Sequence, residues 1–112
     1  MEKLTKKQIK KLEKKERNKK DKEWREALKL EFDSKCIICG RTEFVHAHHL
    51  FPREIKELRH EVLNGVLLCA KHHKYDYKIS AHKNPISFLE FYNIRYNERF
   101  NKLLKIQKDL NT

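Results

Sequence analysis

Two pairs of potential metal ligands with matched spacing constrain this chain most. Cys36 and Cys39 flank two residues in CIIC, and Cys69 and His72 flank two residues in CAKH. A tetrahedral zinc site usually takes thiolate and imidazole ligands from two such short pairs. All three cysteines of the chain are then used, whereas an odd number does not suit a disulfide framework. The spacing predicts a structural zinc ion, with His73 an open alternative to His72 as fourth ligand.

The composition indicates one small domain with a thin core. Of 112 residues, 38% are hydrophobic and 38% are charged, and a small domain with little apolar material benefits from a structural metal. Residues 2 to about 31 have the composition of one long helix, of which the face with Trp24, Leu28 and Phe32 is expected to pack on the domain. We expect a basic, mostly solvated helical arm over residues 1–23. A globular domain with a C-terminal helical extension is expected over residues 24–112.

The remaining pattern predicts an α+β fold with very little β structure. Phe44 and Val45 favour a short strand that Pro52 ends, and Asn64–Gly65 is a turn signal before a second strand in VLLC. A helix is expected from Cys69 through Lys78.

The C-terminal region is predicted to be helical. Asn84 has the character of an N-cap residue and Pro85 that of a first helical residue. The expected order is therefore a long helix, a metal knuckle, a two-stranded hairpin, a helix and one or two terminal helices.

Two pairs of adjacent histidines, His48–His49 and His72–His73, stand out in this order. Neighbouring residues of a strand point to opposite faces, and neighbouring helical residues point about 100° apart. Each pair can therefore give one imidazole to a shared site and leave the other for a separate task.

The combination of CIIC, HHLFP, NGVLLC and CAKHH, between Trp24 and Tyr77, resembles the HNH nuclease family, whose core is a ββα-metal finger. The resemblance implies that His49 is the general base and that His48 and His73 bind a catalytic divalent ion. It implies that Asn64 braces the hairpin and helps to orient the base. The implied reaction is hydrolysis of DNA that leaves 3′-hydroxyl and 5′-phosphate ends.

The sequence departs from many members of this family at His48, where they have aspartate. Imidazole suits transition metals better than Mg²⁺, so Mn²⁺, Ni²⁺ or Co²⁺ is expected to support activity at least as well as Mg²⁺. No third ligand is certain; Asp76 and Tyr77 lie one turn beyond His73. No metal role is assigned to the other histidines, which are His46, His60 and His82.

The formal charge of +11 favours a polyanionic partner. Duplex DNA is the expected partner, and Arg41, Arg53 and Lys56 are candidate phosphate contacts near the predicted site. The competing interpretation is a zinc-stabilised DNA-binding module without catalysis. We expect a cytoplasmic protein (in the host cell if phage-encoded), without a membrane span, as a monomer or homodimer.

Overall fold

The computed structural model describes residues 3–111, which form an α+β fold around a two-stranded antiparallel sheet. The predicted fold class is confirmed. The elements in chain order are α1 (Lys6–Glu31), β1 (Val45–His49), a 3-10 helix (Val62–Asn64), β2 (Gly65–Cys69), a π-helical turn (Lys71–Tyr75), α2 (Pro85–Arg95) and α3 (Asn97–Leu110).

Helix α1 begins later than predicted because Thr5 caps it. The Thr5 hydroxyl accepts a hydrogen bond from the Gln8 amide at 3.1 Å, and the Gln8 side chain accepts one from the Thr5 amide at 2.8 Å. This reciprocal capping box fixes the first turn. Residues 3–20 are exposed along their whole length, and we call them the arm. The outermost residues of the two predicted regions, 1, 2 and 112, lie outside the described residues, and the division at residue 23 stays a prediction.

The sheet lies between α1 and α2, so its two faces have different neighbours. All five residues of β2 are buried. Leu67 packs with Trp24 and Leu28 of α1, whereas Val66 belongs to the cluster that contains Phe88 of α2. Burial on both sides explains the unbroken apolar run of this strand.

The connection between the strands is longer than the predicted turn. Residues 50–64 separate β1 from β2, so Asn64–Gly65 is not a two-residue hairpin turn. Asn64 is fully buried, and its side chain accepts a hydrogen bond from the Phe51 amide at 2.6 Å. The same side chain donates to the carbonyl oxygens of Phe51 and Leu58 at 3.1 and 3.0 Å. Asn64 therefore folds the connection back on itself.

Two further boundaries differ from the prediction. Phe44 precedes β1 with a left-handed backbone (φ 54°) and is 70% exposed, and β1 ends at His49, before Pro52. The helix predicted from Cys69 through Lys78 is only the π-helical turn. It stops at Asp76, whose carboxylate accepts hydrogen bonds from the amides that follow.

The C-terminal helices follow the prediction. The Asn84 side chain accepts a hydrogen bond from the Ser87 amide at 3.2 Å, and Pro85 is the first residue of α2. Tyr96 separates α2 from α3.

The closest approach between α1 and the sheet occurs at Gly65. A Cβ atom at this position would lie 2.5 Å from both Trp24 and Leu28 side-chain atoms. No side-chain atom fits there without displacing one of them, so α1 packs directly on the backbone of β2.

Replacing Gly65 with alanine is therefore expected to lower the free energy of unfolding by about 1–3 kcal/mol, the usual cost of overpacking. Urea unfolding of the zinc-loaded protein measures this change. Leu30→Ala is the control, because Leu30 lies on the same helix but is 84% exposed. An unchanged midpoint for Gly65→Ala would contradict the packing of α1 on β2.

Candidate metal centres and catalytic site

Four predicted zinc ligands form a compact cluster. The ligand atoms of Cys36, Cys39, Cys69 and His72 all lie within 4.8 Å of one another. The His72 Nδ1 atom is 3.7 Å from the Cys36 sulfur and 3.4 Å from the Cys69 sulfur, and the Cys39 and Cys69 sulfurs are 3.7 Å apart. Zinc–sulfur bonds of about 2.3 Å in a tetrahedron place sulfurs about 3.8 Å apart. The cluster therefore fits a zinc ion.

Backbone contacts with β2 hold this cluster in place. The Ile37 amide donates to the Leu67 carbonyl, and the turn closes through a bond from the Gly40 amide to the Cys36 carbonyl. Gly40 has φ +75°, which glycine adopts without strain. The turn thus brings the first cysteine pair to the end of the strand that carries the second.

The two ring nitrogens of His72 face different partners. Its Nδ1 atom faces the sulfurs, while its Nε2 atom lies 3.7 Å from an Asp76 carboxylate oxygen. Burial lowers the pKa of His72, which favours the neutral imidazole that metals bind. A carboxylate behind a metal-binding histidine is a common supporting contact. His73, the alternative that the spacing left open, lies in a different cluster.

The second cluster consists of three imidazoles, from His48, His73 and His82. Their ligand atoms also lie within 4.8 Å of one another, and the Nε2 atoms of His73 and His82 are 3.0 Å apart. His48 and His73 are half-buried, whereas His82 is exposed. In the Cys/His cluster three of the four ligands are buried and Cys39 is exposed, whereas no member of the histidine cluster is fully buried.

Three different elements supply these histidines. His48 pairs with Val66 in the sheet and therefore faces α2, where its ring centroid is 6.0 Å from that of Phe88. His73 is in the π-helical turn. His82 follows on a tight turn, and its amide donates to the His73 carbonyl at 3.0 Å. That backbone bond holds the two rings side by side.

Burial keeps the imidazoles of His48 and His73 neutral. Burial, together with the neighbouring imidazoles, lowers the pKa of His48 to about 3. Burial and the neighbouring His82 lower the pKa of His73 to about 4. Near pH 7 both rings therefore present a free lone pair, which is the form that binds a divalent metal.

Sequence analysis missed His82. It lies nine residues after His73 in a segment without a metal-ligand spacing, and only the fold of the intervening turn brings it close. The candidates considered instead do not join the cluster: Asp76 lies beside His72, and Tyr77 is exposed. His46 is exposed at the rim, with its ring centroid 6.2 Å from that of His73.

His49 lies on the opposite face of the sheet from His48, as strand alternation predicts. Its ring stacks on Trp24 with a centroid distance of 3.9 Å and an interplanar angle of 8°. Its Nε2–H donates to the Arg59 carbonyl oxygen at 2.9 Å, which leaves Nδ1 as the basic nitrogen. Burial lowers the pKa of His49. The ring is thus a fixed, neutral proton acceptor near pH 7.

Helix α1 holds the segment that contacts His49. Asp21 accepts two hydrogen bonds from the Arg59 guanidinium, at 2.9 and 2.8 Å, and lies 2.7 Å from His60. The bond from Arg59 lowers the pKa of Asp21 to about 2. The Trp24 indole nitrogen donates to the Glu61 carbonyl at 2.9 Å. Together these contacts fix the backbone whose carbonyl orients His49.

The three predicted phosphate contacts are exposed. Arg41 follows the first cysteine pair and lies 3.9 Å from Glu43. Arg53 and Lys56 lie in the connection between the strands. Their binding of nucleic acid stays a prediction.

Residues 36–75 match the family model described as HNH endonuclease. The predicted resemblance is confirmed over about a third of the chain, which includes both cysteine pairs and His48, His49, Asn64 and His73 but neither His82 nor α1. No curated protein and no solved structure gives a significant match.

Within residues 3–111, no helix combines the length and the apolar character needed to cross a bilayer.

We expect one tightly held zinc ion per chain in the Cys/His cluster, and we expect its removal to unfold the domain, because a thin core depends on its metal. Zinc content and thermal unfolding, with and without a strong chelator, measure this. Cys36→Ala should lose the ion and the stability, and His82→Ala should keep both. Full zinc content in Cys36→Ala would contradict the assignment.

Proposed function

We propose that this chain is a metal-dependent endonuclease that hydrolyses phosphodiester bonds of duplex DNA, nicking or cutting it and leaving 3′-hydroxyl and 5′-phosphate ends. The observation that carries the proposal is the presence of two metal-ligand clusters of opposite character. The Cys/His cluster is largely buried and offers four ligands, whereas the cluster of His48, His73 and His82 is open to solvent. Structural zinc sites are closed, and catalytic metal sites keep an open position.

The open cluster is the proposed site of the catalytic ion. His48, His73 and His82 would hold it through their ring nitrogens. A divalent cation bound there would offset the negative charge that develops on the phosphate and the leaving oxygen. The exposure of His82 leaves the site accessible to a phosphodiester.

His49 is proposed as the general base. Its Nδ1 atom is free to take a proton from water, and its Nε2–H remains bonded to the Arg59 carbonyl. That bond favours the imidazolium that forms when the proton is taken, much as a fixed acceptor does for other catalytic histidines. The flat stack on Trp24 keeps the ring from rotating away.

Asn64 is proposed as a positioning residue. Its side chain joins Phe51 to Leu58, the neighbour of Arg59, within the connection between the strands. This bridge holds the Arg59 carbonyl in place for His49. The role agrees with the one that the family resemblance implies.

The duplex is proposed to be held through its phosphates. The net charge of +11 supports binding to a polyanion, and the exposed side chains of Arg41, Arg53 and Lys56 can contact phosphate. Such contacts position a duplex and do not read its sequence.

Purified zinc-loaded protein is expected to nick supercoiled plasmid in the presence of a divalent metal, and His49→Ala is expected to lose at least about 100-fold in rate, the usual share of a general base. Gel analysis of plasmid with Mg²⁺, Mn²⁺, Ni²⁺, Co²⁺ or chelator measures this. His46→Ala is the matched control, since it removes an exposed imidazole of the same strand. Absence of cleavage with every metal, by a folded protein, would favour the non-catalytic DNA-binding module.

A site built from three imidazoles is expected to prefer transition metals. We expect Mn²⁺, Ni²⁺ or Co²⁺ to support cleavage at least as well as Mg²⁺. In calorimetric titration of the zinc-loaded protein, His82→Ala should weaken binding of these ions by about tenfold or more. A clear preference for Mg²⁺, or a titration of His82→Ala identical to that of the parent, would contradict the three-histidine site.

A further inference from the structure

We propose that one face of the arm binds the phosphates of a duplex outside the cleavage site, an inference that rests on the proposed function. The face is formed by Lys7, Lys10, Lys14 and Arg17, which we call the basic stripe. Nothing in the family match covers this region, since that match begins at residue 36.

The basic stripe continues the packed face of α1. Its residues repeat at alternating intervals of three and four, and the same intervals lead on to Asp21, Trp24 and Leu28. Residues at this spacing share one side of a helix, with a drift of about 20° per heptad. Over three heptads the drift is about 60°, less than the width of a helix face of roughly 100°. Where α1 extends beyond the domain, the side of the helix that packs on the domain therefore carries the basic stripe.

The basic stripe carries little opposing charge. Of the acidic residues of the arm, Glu16 points away from the stripe, whereas Glu13 lies at its edge, three residues after Lys10 and four before Arg17. Asp21 is the one carboxylate on the same line, and it is already paired with Arg59 and His60. Among residues 3–111, no ion pair involves the four side chains of the stripe. Their charges are available to a ligand.

The basic stripe leads to the proposed base. Lys7 and Arg17 are about 15 Å apart along the helix axis, and Trp24 is about 10 Å beyond Arg17. Trp24 stacks on His49, and Asp21 holds the segment that bonds to it. A duplex whose phosphate reaches His49 can therefore continue along the exposed helix, and the rigid arm would add contacts that do not depend on sequence.

The residue types favour nucleic acid over an anionic membrane. A helix that lies on a membrane presents apolar side chains beside its cations. The apolar residues of the arm, Ile9 and Leu12, point roughly 120° and 180° away from the centre of the basic stripe. The stripe itself is purely cationic, which suits a row of phosphates.

Two variants with equal loss of charge test the proposal. Glutamine preserves helix propensity while it removes the charge of lysine or arginine. The stripe variant carries Lys7→Gln, Lys10→Gln, Lys14→Gln and Arg17→Gln. The control variant, altered on the opposite side of α1, carries Lys15→Gln, Lys19→Gln, Lys20→Gln and Lys22→Gln.

Binding of a labelled 30-base-pair duplex is measured by fluorescence anisotropy from 50 to 200 mM salt, without added divalent metal. The stripe variant is expected to lose about tenfold or more in affinity, and its slope of log affinity against log salt should fall by about 3 to 4, since each phosphate contact contributes about 0.9. The control variant should lose less than a third as much slope. Circular dichroism checks that both variants remain helical.

Equal losses for the two variants would overturn the stripe, because they would show a response to total charge alone. Unchanged binding of the stripe variant would also overturn it. The same variants on vesicles containing phosphatidylserine give a third test: a loss there without a loss on DNA would assign the stripe to membranes. Failure of this proposal can be distinguished from failure of the proposed function. If the chain binds DNA through the stripe but does not cleave plasmid, the stripe proposal stands and the proposed nuclease function fails.

Discussion

The contact between Trp24 and the backbone of Gly65 is the constraint on which the rest of the structure depends. Because Gly65 has no side chain, the indole lies against β2 and reaches across to the facing residue of β1, His49. The same indole donates to the Glu61 carbonyl. One side chain therefore joins α1, the sheet and the connection between the strands. A larger residue at position 65 would separate the candidate base from its support, so fold and function share this contact.

A sheet of only two strands directs the two adjacent histidines of β1 to opposite faces. Alternation along β1 directs His48 toward α2 and His49 toward α1, and their partners across the sheet, Val66 and Gly65, alternate in the same way. The π-helical turn does the equivalent for His72 and His73, which enter different clusters. Adjacent histidines thus reach different surroundings without any insertion in the chain. In this way two ligand clusters and the candidate base lie around only ten strand residues.

The sequence predicted what depends on local spacing and missed what depends on long-range packing. Metal-ligand pairs and strand alternation are short-range rules, and both placed residues correctly in space. His82 has no such signal, since its approach to His73 follows from the turn after Asp76. The interpretation of Asn64 as a hairpin-turn residue was wrong. Its side-chain amide instead bonds to backbone atoms of the connection between the strands, and the sequence does not show how that connection folds. Local patterns carry no information on such closure.

The two clusters share imidazole ligands and differ in burial. His72 is buried beside sulfurs, and thiolates select zinc and neutralise its charge, so that a closed site adds to stability. His73, the next residue, is only half-buried, beside His48, whose ring burial also keeps neutral, so these ligands would leave the charge of a bound ion largely uncompensated. An uncompensated cation at an open surface would attract anions such as a phosphodiester. In the proposed function, the difference in burial therefore suits one site to folding and the other to binding a phosphate.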